Sequence, residues 1–250
     1  MKIIKYKESY SETMMKNKLP KILISLGIVI VVFFALIFAA IFPQLKNLGL
    51  FIFIIGVITL VVAPRLINPL INDFKNYRFG KKGEDTVIST LKETLNDDYV
   101  YILNYIIPNT RIGDIDGLLI GHKGIIIIEV KDWSGRFRVS GKEIFRKLKG
   151  DIYRLYRKNP FDQVSQQQNY LEQFLKEKGI ELKITPIIVL VDGSIEAITS
   201  ETGIFITENT KLTNHIFKLP IIPDFSETSS DKIITALGVS FATPTLEIKR

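Results

Sequence analysis

A run of 21 residues without a charge, residues 22–42, limits what this chain can fold into more than any other feature. A second uncharged run covers residues 48–63, after a short polar turn. About 20 apolar residues in a helix span the hydrocarbon core of a bilayer. A buried core helix is disfavoured because neither run has a polar face, and a cleaved signal peptide because the first run is too long. The sequence therefore predicts a hairpin of two transmembrane helices over residues 22–67.

Basic residues flank the two runs unevenly. Residues 1–21 contain six lysines and two glutamates, five basic residues follow the second run, and the connecting turn holds only Lys46. Loops rich in Lys and Arg stay in the cytoplasm. We therefore expect a multi-pass protein of the cell membrane, with residues 1–21 as a basic lead and with both termini and the soluble domain in the cytoplasm.

The overall composition narrows the classes of partner and of site. The chain has 33 Lys and Arg against 26 acidic residues, a net charge of +7. This excess favours anionic partners, either nucleic acid or anionic lipid. Because there is no cysteine, disulfides, zinc-thiolate sites and cysteine nucleophiles are excluded. The two histidines, His122 and His215, are far apart in sequence, which disfavours a histidine-rich metal site.

Charged residues stand at one end of a strongly apolar hairpin predicted over residues 113–131. Asp116 lies at the start of the first strand, and Glu129 and Lys131 share one face at the end of the second. Carboxylates bind a hard cation that activates water, and a lysine can steer that water or offset charge on a phosphate. A Glu–Lys pair is also common on a solvated face. This pair, however, follows four consecutive isoleucines, where charge is costly unless it serves a site or reaches solvent.

The rest of the chain predicts alternating helices and strands. A helix is expected to begin near Gly80, and Glu84 in its first turn is explained equally well as an ordinary N-terminal acid. A further helix is expected to end near Lys178, with Gly179 as its C-cap. The other predicted elements are strands at 99–107, 184–191 and 204–207, a small hairpin at 137–139 and 143–146, and short helices at 211–217 and 231–239.

A basic stretch between residues 142 and 158 contains seven Lys and Arg, with Tyr153 and Tyr156 among them. Basic residues interleaved with aromatics are typical of a track for nucleic acid. A solvated surface gives the same pattern, so the stretch alone leaves both interpretations open.

Several motifs in this order resemble the nuclease-related domain, NERD, of the PD-(D/E)xK nuclease superfamily. They are Gly80-x-x-Gly-Glu84, Ile115-Asp116, the run from Gly124 through Glu129-Val-Lys131, Asn159-Pro-Phe-x-Gln163, and the strand from Pro186 to Val191. The resemblance covers about residues 80–220. It implies an α/β, restriction-endonuclease-like core with a mixed central sheet flanked by helices. It also implies hydrolysis of phosphodiester bonds, usually in DNA, that depends on Mg²⁺ or Mn²⁺.

The resemblance also implies roles for individual residues. Asp116 and Glu129 would ligate the metal, and Glu84 would be an additional acid, directly or through water. Lys131 would orient the attacking water or stabilise the transition state, and Gln163 would line the site near the phosphate. Asp114 is the second choice for the hairpin acid. Gly117 departs from the family pattern, in which a bulkier residue, often His, is usual; residues 221–250 lie outside the resemblance and are expected to form a helix and a tail.

The expected function is that of a membrane-anchored, metal-dependent nuclease acting on DNA. Two alternatives remain: a catalytically inactive module that binds nucleic acid, and a membrane scaffold whose basic residues contact lipid.

Overall fold

The computed structural model describes residues 1–8, 10–41, 46–157, 159–199, 202–223 and 225–239. The chain divides into two compact units. Tyr10–Phe79 forms a helical unit, and Met1–Ser9 together with Gly80–Arg250 forms the other.

The helical unit contains α1 (Tyr10–Ile41) and the first part of α2 (Lys46–Thr94). Over Glu12–Ala35 and Ile54–Thr94, both helices are long and apolar enough to cross a membrane. Their apolar side chains are largely exposed, as for Val31 at 69%. Within this unit Lys18 Nζ lies 2.9 Å from Asp73 Oδ2, so an ion pair joins the two helices. Residues 43–45 of the predicted connecting turn lie outside the described residues, whereas Lys46 and Asn47 already belong to α2.

Helix α2 corrects the prediction that a separate helix begins near Gly80. It continues without a break through Pro64 and Pro69 and on to Thr94. A proline removes one backbone hydrogen bond of a helix, and a glycine is only about 1 kcal/mol worse than alanine there. The helix nevertheless continues past all three residues, so these costs do not end it. Glu84 is therefore inside a helix, and its interpretation as an ordinary first-turn acid does not apply.

Among the described residues of the second unit, ten strands form two sheets. The central sheet has the order β1-β2-β3-β4-β8-β10, and the smaller sheet has the order β7-β6-β5-β9. The strands are β1 (Lys2–Lys5), β2 (Val100–Ile106), β3 (Asp114–Gly121), β4 (Gly124–Lys131), β5 (Gly135–Ser140), β6 (Glu143–Lys147), β7 (Tyr153–Leu155), β8 (Ile184–Leu190), β9 (Gly193–Ile198) and β10 (Phe205–Glu208). In the central sheet β2–β3 and β3–β4 are antiparallel, whereas β1–β2, β4–β8 and β8–β10 are parallel. The predicted α/β class with a mixed central sheet is confirmed.

Helices cover both faces of the central sheet. The core on one face includes α3 (Phe161–Glu177) and α5 (Glu227–Ala236), and the core on the other includes the end of α2 and α4 (Leu212–Lys218). Strand β4 contributes to both, because Ile125 and Ile127 pack on the α3 side while Ile126 and Ile128 pack on the α2 side. The alternation continues past Ile128 and places Glu129 on the α3 side.

The amino terminus is part of the central sheet. β1 runs parallel to β2, with Lys2 opposite Val100, and the Met1 ammonium donates to the Leu95 carbonyl at 3.2 Å and to Asp97 at 2.8 Å. The residues expected to form only a basic lead therefore begin with a strand.

The carboxy-terminal helix also belongs to the core. α5 begins with a capping box between Ser226 and Ser229, and its Ile233 and Ile234 are buried. The segment beyond the family resemblance thus contributes a packed helix, and residues 240–250 lie outside the described residues.

Candidate active site

Asp116 and Glu129 lie on neighbouring strands at the open end of the β3–β4 hairpin. Gly117 is paired with Ile128, and the two acids are the next residues away from the connecting turn. The Val130 N–H donates to Asp116 Oδ2 at 2.8 Å. This bond fixes the Asp116 carboxylate against the strand that contains Glu129.

Glu129 is a buried carboxylate, with a relative exposure of 1%. Lys131 Nζ donates to its Oε1 at 2.5 Å, and Gln167 Nε2, from α3, lies 3.4 Å from its Oε2. The Lys131 side chain is 23% exposed. The ammonium group therefore stands between a buried acid and solvent.

The environment of Asp116 disfavours its charged form. Burial raises the pKa of Asp116 well above its ordinary value, and the charges of Glu129 and Glu84 raise it further. Lys131 and the Val130 N–H act in the opposite direction without cancelling this effect. For Lys131, burial disfavours the charge, but Glu129 and Asp116 outweigh it and raise the pKa. The cluster thus holds more negative charge than its lysine offsets.

Glu84 reaches this cluster from α2. Its charge contributes to the raised pKa of Asp116 and also to that of the buried Tyr101, for which burial is the largest cause. The structure therefore brings together three of the charged residues predicted from sequence, Asp116, Glu129 and Lys131, and Glu84 is near enough to raise the pKa of Asp116.

Tyr101 explains why the residue after Asp116 is a glycine. A Cβ on Gly117 would lie 1.9 Å from Tyr101 Oη, closer than any two such atoms can approach. The tyrosine therefore occupies the space that a bulkier side chain at position 117 would need. Sequence reasoning missed Tyr101, although a glycine within an otherwise apolar strand indicates close approach by another group.

The glutamine that contacts Glu129 is Gln167, one helical turn beyond the predicted Gln163. Gln167 is fully buried, and its Nε2 also donates to the backbone carbonyl of Asp114 at 3.0 Å. The role of Gln163 stays a prediction. Gln167 could have been found from sequence, because it lies on the apolar face of α3 between Val164 and Leu171, where a polar residue needs a partner.

Comparison with known families decides the identity of this region. Residues 79–191 match the family model described as the nuclease-related domain, NERD. This chain contains a nuclease-related domain. Comparison with curated proteins and with solved structures gave no match. The NERD match includes all four charged residues of the cluster together with Gln163 and Gln167, whereas β10, α4 and α5 follow it in the chain.

The donor set of the NERD domain fits a hard divalent cation. In the part of the chain that the structure describes, no group of three or more His, Cys, Asp or Glu side chains is arranged to hold a metal ion. Mg²⁺, however, is commonly bound through one or two carboxylates while keeping several waters. Asp116 and Glu129 supply two, and the repulsion that raises the pKa of Asp116 is what a bound cation would relieve. The predicted three-acid set with Glu84 stays a prediction.

Proposed function

We propose that this protein is a membrane-anchored, metal-dependent nuclease that hydrolyses phosphodiester bonds in DNA. The observation that carries the proposal is the buried Glu129 carboxylate, with the Lys131 ammonium 2.5 Å away, beside an Asp116 whose pKa is raised by burial and by neighbouring acids. An acid with a strongly perturbed pKa inside a charged cluster is typical of a catalytic site. The match to the nuclease-related domain favours nuclease chemistry for such a cluster.

Each residue of the cluster has a separate task in this proposal. Asp116 and Glu129 would hold a Mg²⁺ or Mn²⁺ ion, with Glu84 as an additional acid directly or through water. Such an ion supplies an activated water and positive charge at the phosphate. Gln167 restrains Glu129, and Lys131 supplies a cation on the solvent side of that acid, where it orients the nucleophile or offsets charge on the phosphate oxygens.

The fold that we propose for the NERD domain is a restriction-endonuclease-like core. Its support is the antiparallel run β2–β3–β4, which continues into the parallel strand β8. Helices on both faces of this sheet agree with such a core.

The membrane anchor is proposed from α1 and α2, and β1 supports its topology. β1 precedes α1 in the chain, whereas its partner β2 follows α2. Both ends of the helical unit therefore return to one compact unit, which requires an even number of membrane crossings. Together with the basic residues around the two runs, this favours a cytoplasmic location for the NERD domain and both termini.

The test is cleavage by the full-length protein in detergent micelles, with Mg²⁺, Mn²⁺ or EDTA, on linear and circular DNA and on RNA. We expect Glu129→Gln and Lys131→Ala each to lower the metal-dependent rate by at least about 100-fold. Glu196→Gln is the matched control, since Glu196 also pairs with cations but lies on the smaller sheet. Undiminished cleavage by both site variants would reject these roles.

A second candidate is a catalytically inactive module that binds nucleic acid. One observation favours it: Lys131 and Gln167 already engage both oxygens of Glu129. A carboxylate has further lone pairs for a metal, so this does not exclude catalysis. Binding of DNA without cleavage by the wild-type protein, across the same metals and substrates, would select this candidate; the absence of both would favour a membrane scaffold.

A further inference from the structure

The positive charges on the two sides of the β6–β7 hairpin differ in whether they are paired with acids. On the outer side, Lys147 Nζ lies 2.8 Å from Asp151 and 3.5 Å from Glu196. Arg136 and Arg138 lie 3.4 Å and 3.7 Å from the same glutamate. Every cation of this outer group therefore has an acid beside it.

On the other side, Arg146 and Arg154 are directly opposite each other in the strand register. Like charges directly across an antiparallel pair are destabilising. Among the described residues, neither arginine has an acid within ion-pair distance, nor has Arg157, and all three are exposed. Acids therefore offset the repulsion between positive charges on the outer side of the hairpin, whereas on the other side the repulsion between Arg146 and Arg154 is not offset.

The uncompensated arginines line a cavity of about 340 Å³ together with Tyr156, Leu148 and Leu155. We name Arg146, Arg154, Arg157 and Tyr156 the arginine cradle. Its guanidinium groups match the geometry of phosphate oxygens, and its ring and leucines offer apolar surface to a sugar or a base. This combination suits a nucleotide chain better than a simple inorganic anion.

The arginine cradle adjoins the candidate active site. The Tyr156 ring packs 4.5 Å from the ring of Trp133, which is two residues beyond Lys131. Arg146 Nε lies 3.3 Å from where a Cβ on Gly135 would stand, in the same connection after β4. Tyr156 is also close enough to Lys131 to add, after Glu129 and Asp116, to the effects that raise the pKa of that lysine against burial.

We propose that the arginine cradle binds the phosphodiester backbone of a nucleic acid strand beside the bond presented to Asp116, Glu129 and Lys131. This inference rests on the proposed function. Contacts to phosphate fix the position of the strand and carry no sequence information. Binding through the cradle therefore does not depend on the base sequence.

The test compares two matched double variants of the full-length protein in detergent micelles. Arg146→Ala/Arg154→Ala removes two charges from the cradle, and Arg136→Ala/Arg138→Ala removes two from the outer side of the same sheet. Affinity for a fluorescent DNA duplex is measured by anisotropy in EDTA at several salt concentrations. Because each phosphate contact contributes about 0.9 to the salt slope, the cradle variant should lower that slope by about 2 and weaken binding about tenfold.

Thermal unfolding separates loss of binding from loss of fold. We expect the cradle variant to have the Tm of the wild type or a higher one, because the removed charges repel each other. Arg146→Lys/Arg154→Lys should recover most of the salt slope, since it restores the charges. An unchanged slope in the alanine variant, or an equal fall in the outer-side variant, overturns the inference.

Cleavage and lipid binding by the same variants distinguish a nucleic acid track from a headgroup site. Because anisotropy in EDTA needs no catalysis, cradle-dependent binding without cleavage supports the inference while rejecting the proposed hydrolysis. Cleavage at the wild-type rate by the cradle variant supports the proposed hydrolysis and rejects the inference. If the cradle variant alters only the preference of the protein for anionic over zwitterionic lipid nanodiscs, the cradle contacts headgroups and the inference is wrong.

Discussion

Two acids of this molecule, Glu196 and Asp116, lie in opposite electrostatic environments. Glu196 accepts a hydrogen bond from the Tyr153 hydroxyl and is surrounded by three cations, and its pKa is lowered, chiefly by the tyrosine. For Asp116, burial and two neighbouring acids raise the pKa. The first arrangement stabilises the fold. The second costs stability, and such a cost is expected where a ligand or metal offsets it.

The lysines of the two clusters, Lys147 and Lys131, also differ in how exposed their partner acids are. Lys147 is itself 12% exposed, but its partner Asp151 is 91% exposed, and an ion pair with a solvated acid contributes little. Lys131 is the cation beside a glutamate that is 1% exposed. A buried acid that loses its partner becomes an unpaired charge in a medium that solvates it poorly. The same type of pair therefore contributes little to stability at one place and much more at the other.

The largest effect on stability is expected for Lys131→Met. Because the variant leaves Glu129 buried without its cation, we expect the free energy of unfolding at neutral pH to fall by about 3 kcal/mol. Denaturant unfolding of the full-length protein in micelles measures this change. The exposed Arg138→Met is the matched control and should give no measurable change. Equal stability of both variants would remove the distinction between the clusters, and Glu129→Gln/Lys131→Met should recover most of the loss.

A smaller effect, of opposite sign in the two clusters, is expected when each acid is made neutral. The pKa of Asp116 is raised on folding, so its contribution to stability is present at low pH and is lost as the pH rises through the folded pKa. Asp116→Asn should therefore raise Tm at pH 7 and have no effect below about pH 4, where the wild-type acid is also neutral.

Glu196→Gln should behave in the reverse sense. Because the pKa of Glu196 is lowered, its contribution is present at neutral pH and is lost on acidification, so the variant should lower Tm slightly at pH 7. Thermal unfolding of both variants at several pH values measures the two effects. A lower Tm for Asp116→Asn at neutral pH would show that its carboxylate stabilises the fold.

Local sequence patterns predicted the elements that surround the site. The isoleucine run and the residues beside it specified the β3–β4 hairpin, because each signal lies within about 20 residues of chain. The helix predicted to end near Lys178 is α3, which ends at Glu177 and is followed by Gly179 at a φ of +73°. Asp116 lies beside Glu129 because of the register of this hairpin, so no contact with a distant part of the chain was needed to predict that pair.

The features missed from sequence depend on distant contacts. β1 forms because Lys2 meets Val100, and nothing near residue 2 specifies a strand. β7 and β9 complete the smaller sheet around β5 and β6, and their short segments have little signal of their own. The contact between Gln167 and Glu129 required knowing which face of α3 meets β4. The continuity of α2 through two prolines and Gly80 likewise depends on the turns around them.

The central claim is that Asp116 and Glu129 form a cation site, and the effect of Mn²⁺ on the Tm of the full-length protein tests it most directly. A metal that binds only the folded state raises Tm, by a free energy of about 2.7 kcal/mol at 100 times its dissociation constant. We predict that Mn²⁺ raises Tm equally for the wild type and Glu196→Gln, and leaves Tm unchanged for Asp116→Asn. The same Mn²⁺-induced rise in Asp116→Asn as in the wild type would contradict the claim.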